Sequence, residues 1–180
     1  MLKMTLKNDL ADKWRAAHAE ALRLAQRLRQ TSTVFRRYAG ELKYHPQTGV
    51  QGRIGQDLLD AAAVVREILD RVDAITARWD EEMAWLQSLD ARMLVDDIQH
   101  SQAAARDAGR LARAALDIFA QAVLHPERAS LDAPYGHGAP RRVHPGAQCT
   151  WVAERAEELA VELSAVTLRK ENLLLMMRAP

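Results

Sequence analysis

The chain has little of what β-rich, secreted or membrane-spanning proteins need. One of its 180 residues is cysteine, so no disulfide can form within the chain. Aromatic residues make up 5%, and eight glycines and six prolines supply few of the turns that a β-sandwich or barrel requires. No uncharged apolar run approaches the ~20 residues of a membrane-spanning helix, and no secretory leader is evident. We therefore expect a helical protein of the cytoplasm, without a membrane partner.

Charge is nearly balanced overall but is segregated along the chain. The formal net charge is +1. Residues 1–43 hold ten Lys and Arg against four acids, whereas residues 53–100 hold five Arg against eleven acids. The two segments thus carry +6 and −6. This pattern predicts a basic first helix paired with an acidic second one. Twenty arginines against five lysines, with abundant alanine, indicate a GC-rich bacterial gene.

Apolar residues recur in alternating steps of four and three. The first series is Leu10, Trp14, Ala17, Ala21, Leu24, Leu28, Thr31, Phe35, Tyr38 and Leu42. Two more series run from Ile54 to Trp79 and from Val152 to Met177, and Lys170 is the one polar member of the last. A mean step of 3.5 residues keeps an apolar seam on one face of a helix and is typical of coiled coils.

The phase of the seam changes near residues 88–92, where Ser88 and Asp90 are potential helix caps. One helix covering 53–124 is the alternative. With the break, the pattern predicts helices over about 5–42, 53–88, 92–124 and 148–177, with a loop of Pro, Gly and His at 125–147. Helices of matched length favour an all-α, antiparallel up-down-up-down four-helix bundle in a single domain, residues 1–180.

That topology predicts which large side chains meet at each end of the bundle. One end should hold Trp14, Trp79, Trp85, Met93, Met176 and Met177. The other should hold Phe35, Tyr38, Phe119 and Trp151. The alanine seam of the third helix should allow close approach of two backbones, since alanine leaves little side chain between helix axes.

Motifs for catalysis or cofactor binding are not evident, and we expect neither enzymatic activity nor a cofactor. Three loop histidines and the cysteine are weak candidates for a zinc site: His125, His137, His144 and Cys149. Histidine nitrogen and thiolate sulfur are zinc ligands, but spacings of 12, 7 and 5 residues match no common zinc module. A metal-binding protein therefore remains a minor alternative.

Nucleic-acid binding is a second alternative, through the basic first helix. Its candidate residues are Arg23, Arg27, Arg29, Arg36 and Arg37. Arginines on one face can follow a phosphate backbone, although no helix-turn-helix, zinc-finger or bZIP pattern accompanies them. Pairing of these arginines with Asp60, Glu67 or Asp70 on the second helix would weigh against this hypothesis.

The favoured hypothesis is a non-enzymatic protein that acts through protein–protein contacts or self-association, as a homo-oligomer. The C-terminal run from Leu173 to Met177 is wider than one seam requires, which indicates burial on two sides. The candidate contact residues lie in this run and in the long loop: Tyr135, Arg141, Arg142, Leu174, Leu175 and Met176.

Overall fold

The protein is a bundle of four long helices in the computed structural model, which describes residues 2–44, 53–88, 92–124 and 145–177. The helices are α1 (Leu2–Tyr44), α2 (Arg53–Leu86), α3 (Arg92–Leu124) and α4 (Pro145–Met176). The predicted break between the second and third helices is confirmed, and the alternative of one helix over 53–124 is wrong. Within the described ranges, none of the helices has the length and apolarity needed to cross a membrane.

Consecutive helices run antiparallel, as side-chain pairs between them show. Tyr38 donates a hydrogen bond to Asp57 at 2.5 Å, and Arg71 pairs with Glu20 at 3.1 Å, so α1 and α2 run in opposite directions. Equivalent pairs orient the remaining helices: Arg66–Asp117 and Arg106–Asp80 between α2 and α3, and Arg29–Ser164 and Arg36–Glu157 between α1 and α4. The up-down-up-down four-helix bundle predicted from the heptads is therefore confirmed.

The predicted seams form the core. Leu24, Leu28 and Phe35 of α1 are at most 1% exposed, and they pack with the seams of the other three helices. Lys170 also lies inside, 2% exposed, although it is charged. Burial of each large apolar side chain contributes roughly 1.5–3 kcal/mol, so the heptad pattern accounts for most of the drive to assemble this bundle.

The aromatic side chains gather as predicted, but two methionines do not. Trp14 and Trp85 meet edge to face with ring centres 5.3 Å apart. The prediction is wrong for Met93, 84% exposed, and for Met176, 62% exposed. Successive residues of an α-helix are rotated by about 100°, so the inward positions beside them go to other side chains. These are Leu94, Val95 and Ile98 on α3, Leu173 and Leu174 on α4, and Met177 directly after α4.

At the opposite end, Phe35 and Phe119 form the second predicted aromatic contact. Their ring centres are 5.2 Å apart and the rings are nearly perpendicular, at 84°. Tyr38 and Trp151 are partly buried against the same cluster. Both predicted ends of the bundle therefore exist, each built around an edge-to-face aromatic pair.

The four helices are not equally spaced. α4 packs closely on both α1 and α3, whereas α2 stands further from its two neighbours. The inward faces of α3 and α4 carry many alanines, as the alanine seam predicted, whereas α2 presents larger residues such as Ile68, Val72 and Trp79. Bulky side chains hold helix axes apart, so a groove is left between α1 and α2.

Candidate functional sites

A buried ion pair connects two helices that are diagonal in the bundle. Lys170 of α4 donates a hydrogen bond from its ammonium group to the Glu82 carboxylate of α2. The two side chains are 3% and 14% exposed. Burial lowers the pKa of Lys170, while the nearby Glu82 carboxylate acts in the opposite direction. Because a buried charge requires a partner, we expect this pair to favour one register of α2 against α4.

Two tryptophans enclose the Lys170 ammonium group. Its nitrogen lies 5.2 Å from the ring centre of Trp14 and 5.0 Å from that of Trp79. The negative face of an aromatic ring attracts a cation at such distances, with a strength of about 2 kcal/mol when water is excluded. Helices α1, α2 and α4 thus all contribute side chains to this ionic cluster.

A second polar pair lies beside the first. The Nδ1 atom of His18, on α1, hydrogen-bonds the Glu171 carboxylate of α4. His18 is 6% exposed, and its burial lowers the pKa of the imidazole, an effect that the Glu171 carboxylate partly offsets. The remaining ring nitrogen, Nε2, is buried and has no hydrogen-bond partner among the described residues. The indole nitrogen of Trp14 is likewise buried and has no hydrogen-bond partner among the described residues.

A cavity of about 750 Å³ lies between α1 and α2, and residues 166, 167 and 170 of α4 also line it. We call it the tryptophan cavity, because Trp14, Trp79 and Trp85 line it. Alanines and Ile75 form much of its remaining wall, and His18 and Lys170 are also among its lining residues. Its volume is within the range of small-molecule sites, and the space between bundle helices is a common location for them.

Sequence reasoning missed this cluster, although one signal was present. Lys170 is the one polar residue in an otherwise apolar seam, and a buried lysine needs an acid beside it. The acid that pairs with it, Glu82, is only 14% exposed. Of the two ring nitrogens of His18, only Nδ1 has a hydrogen-bond partner among the described residues.

The five candidate arginines of α1 all have polar contacts. Arg27 pairs with Glu67 of α2 at 3.3 Å, and Arg36 pairs with Glu157 of α4 at 2.6 Å. The other three contact Glu20, Ser164 and Glu41 respectively: Arg23, Arg29 and Arg37. The predicted pairing across α1 and α2 is thus found at Glu67. Asp60 accepts a hydrogen bond from Gln56, and Asp70 pairs with Arg113; neither makes an ion pair with a described side chain of α1. Nucleic-acid binding by α1 stays a prediction.

The metal-site candidates are divided between the core and the undescribed part of the chain. Cys149 is fully buried in the main core, and that burial raises the pKa of its thiol to about 12. A thiolate ligand is therefore disfavoured there. His125, His137 and His144 lie outside the described residues, as do Tyr135, Arg141 and Arg142. Within the four described helical stretches, no three His, Cys, Asp or Glu side chains are grouped as metal ligands.

The C-terminal contact candidates differ in exposure. Leu174 is 7% exposed and belongs to the end core, whereas Leu175 and Met176 are each 62% exposed. Leu175 continues a row of exposed apolar residues with Val161, 56% exposed, and Leu168, 63% exposed. We call Val161, Leu168 and Leu175 the α4 apolar row. Its members are seven residues apart, so they share one outer face of α4.

An acidic groove lies between α3 and α4 beside this row. It has a volume of about 520 Å³, and Leu111 and Val161 are among its lining residues. Its acids are Asp107, Glu154, Glu157, Glu158 and Glu162, and no basic residue of the described helices lines it. Arginines outside the groove pair with Asp107, Glu157 and Glu158. Glu154 and Glu162 make no ion pair with another described side chain, so the groove keeps a negative charge.

Comparison with known proteins gives no match to a family model, to a characterised protein or to a solved structure. The function proposed below is therefore based on the geometry of the α4 apolar row and the acidic groove.

Proposed function

We propose that this chain is a non-enzymatic protein of the bacterial cytoplasm that acts through protein–protein contacts. The contact surface in this proposal is the outer side of α3 and α4, formed by the α4 apolar row and the acidic groove. Its ligand is an amphipathic helix with basic residues flanking its apolar side. Self-association through the same surface is the alternative form of this proposal.

The α4 apolar row is the observation that carries the proposal. Val161, Leu168 and Leu175 are each more than half exposed and lie at heptad spacing, about 10.5 Å apart along the helix axis. Ile118 and Leu111 of α3, 39% and 41% exposed, are also seven residues apart. Isolated exposed leucines are ordinary, but rows at this spacing are the pattern that packs against another helix.

The charge of the groove indicates the kind of helix. Because Glu154 and Glu162 are without ion-pair partners in the described part of the chain, a ligand with Lys or Arg on its flanks meets complementary charge. Opposite charges at the rim of an interface mainly raise the association rate and reject wrong partners, while the apolar row provides the affinity. An acidic ligand helix would be repelled.

The test compares Leu168→Glu with Leu22→Glu, a matched control on α1 that replaces another exposed leucine, 48% exposed. Both variants should fold with thermal midpoints close to that of wild type, since exposed positions tolerate substitution. Quantitative co-purification from the host and sedimentation velocity then measure binding to a partner and self-association. We expect Leu168→Glu to lose the association and Leu22→Glu to retain it. Equal association of both variants and wild type would exclude the α4 apolar row as the contact.

A further inference from the structure

We propose that the tryptophan cavity binds a small aromatic anion, such as an aryl carboxylate, as a site separate from the protein-contact surface. The cavity lies between α1 and α2, whereas that surface lies on α3 and α4. The proposal does not depend on the proposed function.

The shape and lining of the cavity suit a flat, apolar body. A volume of about 750 Å³ holds a one- or two-ring compound. Trp14, Trp79 and Trp85 offer ring edges and faces for stacking, and small residues such as Ala17 and Ala74 leave space opposite them. Aromatic rings gain roughly 0.5–1.5 kcal/mol from such contacts in addition to the burial of apolar area.

Two buried nitrogen atoms in the lining lack partners. The indole N–H of Trp14, which is 2% exposed, and Nε2 of His18, which is 6% exposed, make no hydrogen bond within the described structure. Most buried polar atoms in folded proteins have a partner, so two orphans beside one cavity are unusual. Both nitrogen atoms have an accessible area below 1 Å², so a ligand oxygen accepts the hydrogen bond of the Trp14 N–H only after the indole turns toward the cavity. His18 donates through Nδ1 to Glu171 when neutral, which leaves Nε2 to accept a ligand O–H or bound water.

The charges around the cavity favour an anion. Lys170 is neutralised by Glu82, and Arg71 by Glu20 and Glu67. Among the lining residues, this leaves Lys13 and Arg78, which have no ion-pair partner among the described side chains, against the unpaired acid Glu81. The Glu171 carboxylate, hydrogen-bonded to His18, lies outside the lining. In an aryl carboxylate, the charged group can pair with Lys13 or Arg78 while the ring packs against the tryptophans. Such a ligand uses both the positive charge and the aromatic lining of the cavity.

The experiment follows the indole N–H signals of the four tryptophans by ¹H–¹⁵N NMR. The probe is 2-naphthoate, and its uncharged counterpart is 2-naphthamide. Trp151 lies against the core at the other end of the bundle and does not line the cavity, so its signal is an internal reference. We expect 2-naphthoate to shift the Trp14 signal in a saturable manner and to leave the Trp151 signal in place. The amide should bind about tenfold more weakly, because it lacks the charge.

Three variants separate this site from adventitious binding. Lys13→Gln with Arg78→Gln should reduce the affinity for 2-naphthoate about tenfold and bring it to that of the amide. Ala74→Leu fills the cavity from an exposed position, so it should abolish binding of both compounds while the fold is kept. Arg110→Gln removes a charge from α3, away from the cavity, and should leave affinity unchanged.

Each contrary result overturns the proposal. No shift at millimolar 2-naphthoate would show that the cavity takes no such ligand. Equal shifts of Trp14 and Trp151, or equal affinity in Ala74→Leu and wild type, would place the probe elsewhere. Equal binding of naphthoate and naphthamide would exclude recognition of an anion.

Discussion

The ammonium group of Lys170 lies 5.0 Å from the centre of the Trp79 ring, inside a seam whose other members are apolar or small. Lys170 thus places a charge at a position where the heptad pattern predicts an apolar residue such as leucine. Glu82 and two tryptophans compensate for the loss of water around that charge. We expect such an arrangement to add specificity of register rather than stability, since a methionine at the same position would avoid the desolvation cost.

Removing one partner of this ion pair should cost more than removing both. We expect Lys170→Met to lower the free energy of unfolding by about 3 kcal/mol, because Glu82 is left in the interior without its cation. The double variant Lys170→Met, Glu82→Met should lie within about 1 kcal/mol of wild type or above it. Urea unfolding followed by circular dichroism measures all three proteins. A double variant more than about 1 kcal/mol less stable than wild type would show that the pair stabilises the bundle by itself.

The Phe35–Phe119 contact should be a major part of the core. Phe119→Ala should lower the free energy of unfolding by about 3–5 kcal/mol, through the lost burial and the cavity that remains. Ile118→Ala is the matched control, since the neighbouring side chain is 39% exposed and its loss should cost about 1 kcal/mol or less. Urea denaturation of the two variants checks the difference. Similar losses in both would contradict the inward placement of Phe119.

The heptad pattern predicted the core well because burial of apolar surface dominates bundle assembly. Phe35, Phe119 and the alanine seam of α3 lie where the spacing placed them. The pattern did not predict the tryptophan cavity, because that cavity depends on how far α2 stands from α1. This distance is set by the combined volumes of the side chains that face each other on the two helices. The apolar pattern of one helix does not specify those combined volumes. The partnership of Lys170 with Glu82 depends on the register of diagonal helices in the same way.

The titration of His18 should reduce stability on the acid side of neutrality. Burial lowers the pKa of His18 from its ordinary value of 6.5, so below that pH the unfolded chain binds a proton that the folded chain resists. The free energy of unfolding should therefore fall as the pH decreases below 6.5, until the folded-state pKa is passed. Urea unfolding at a series of pH values should show this decline in wild type and its loss in His18→Gln. The same decline in both proteins would assign it to another group.

The Arg36–Glu157 pair should contribute in a lower pH range. Hydrogen bonds from Arg36 lower the pKa of Glu157 below its ordinary value of 4.5, partly opposed by desolvation. The stabilisation by this pair is fully present above pH 4.5, and it is lost as the pH falls through the folded-state pKa of Glu157. The effect should be small, since both side chains are at least 40% exposed. Glu157→Gln should flatten the acid limb of the stability profile, and an unchanged limb would contradict the pairing.

Cys149 should be unreactive in the folded protein. Burial raises the pKa of its thiol to about 12, and the side chain is fully enclosed. Alkylation by iodoacetamide at neutral pH should therefore be slow in buffer and rapid in concentrated urea, as followed by mass spectrometry. Equal rates in the two conditions would contradict the placement of Cys149 in the core.

Site-specific photo-cross-linking at Leu168 tests the proposed contact surface most directly. A benzophenone amino acid replaces Leu168 in one form of the protein and Leu22 in the other, and both are irradiated in living cells. We predict a discrete cross-linked product from position 168, containing either a basic helical segment of another protein or a second copy of this chain, and none from position 22. The absence of a product at 168, or the same products from both positions, would contradict a protein-contact role for the outer face of α4.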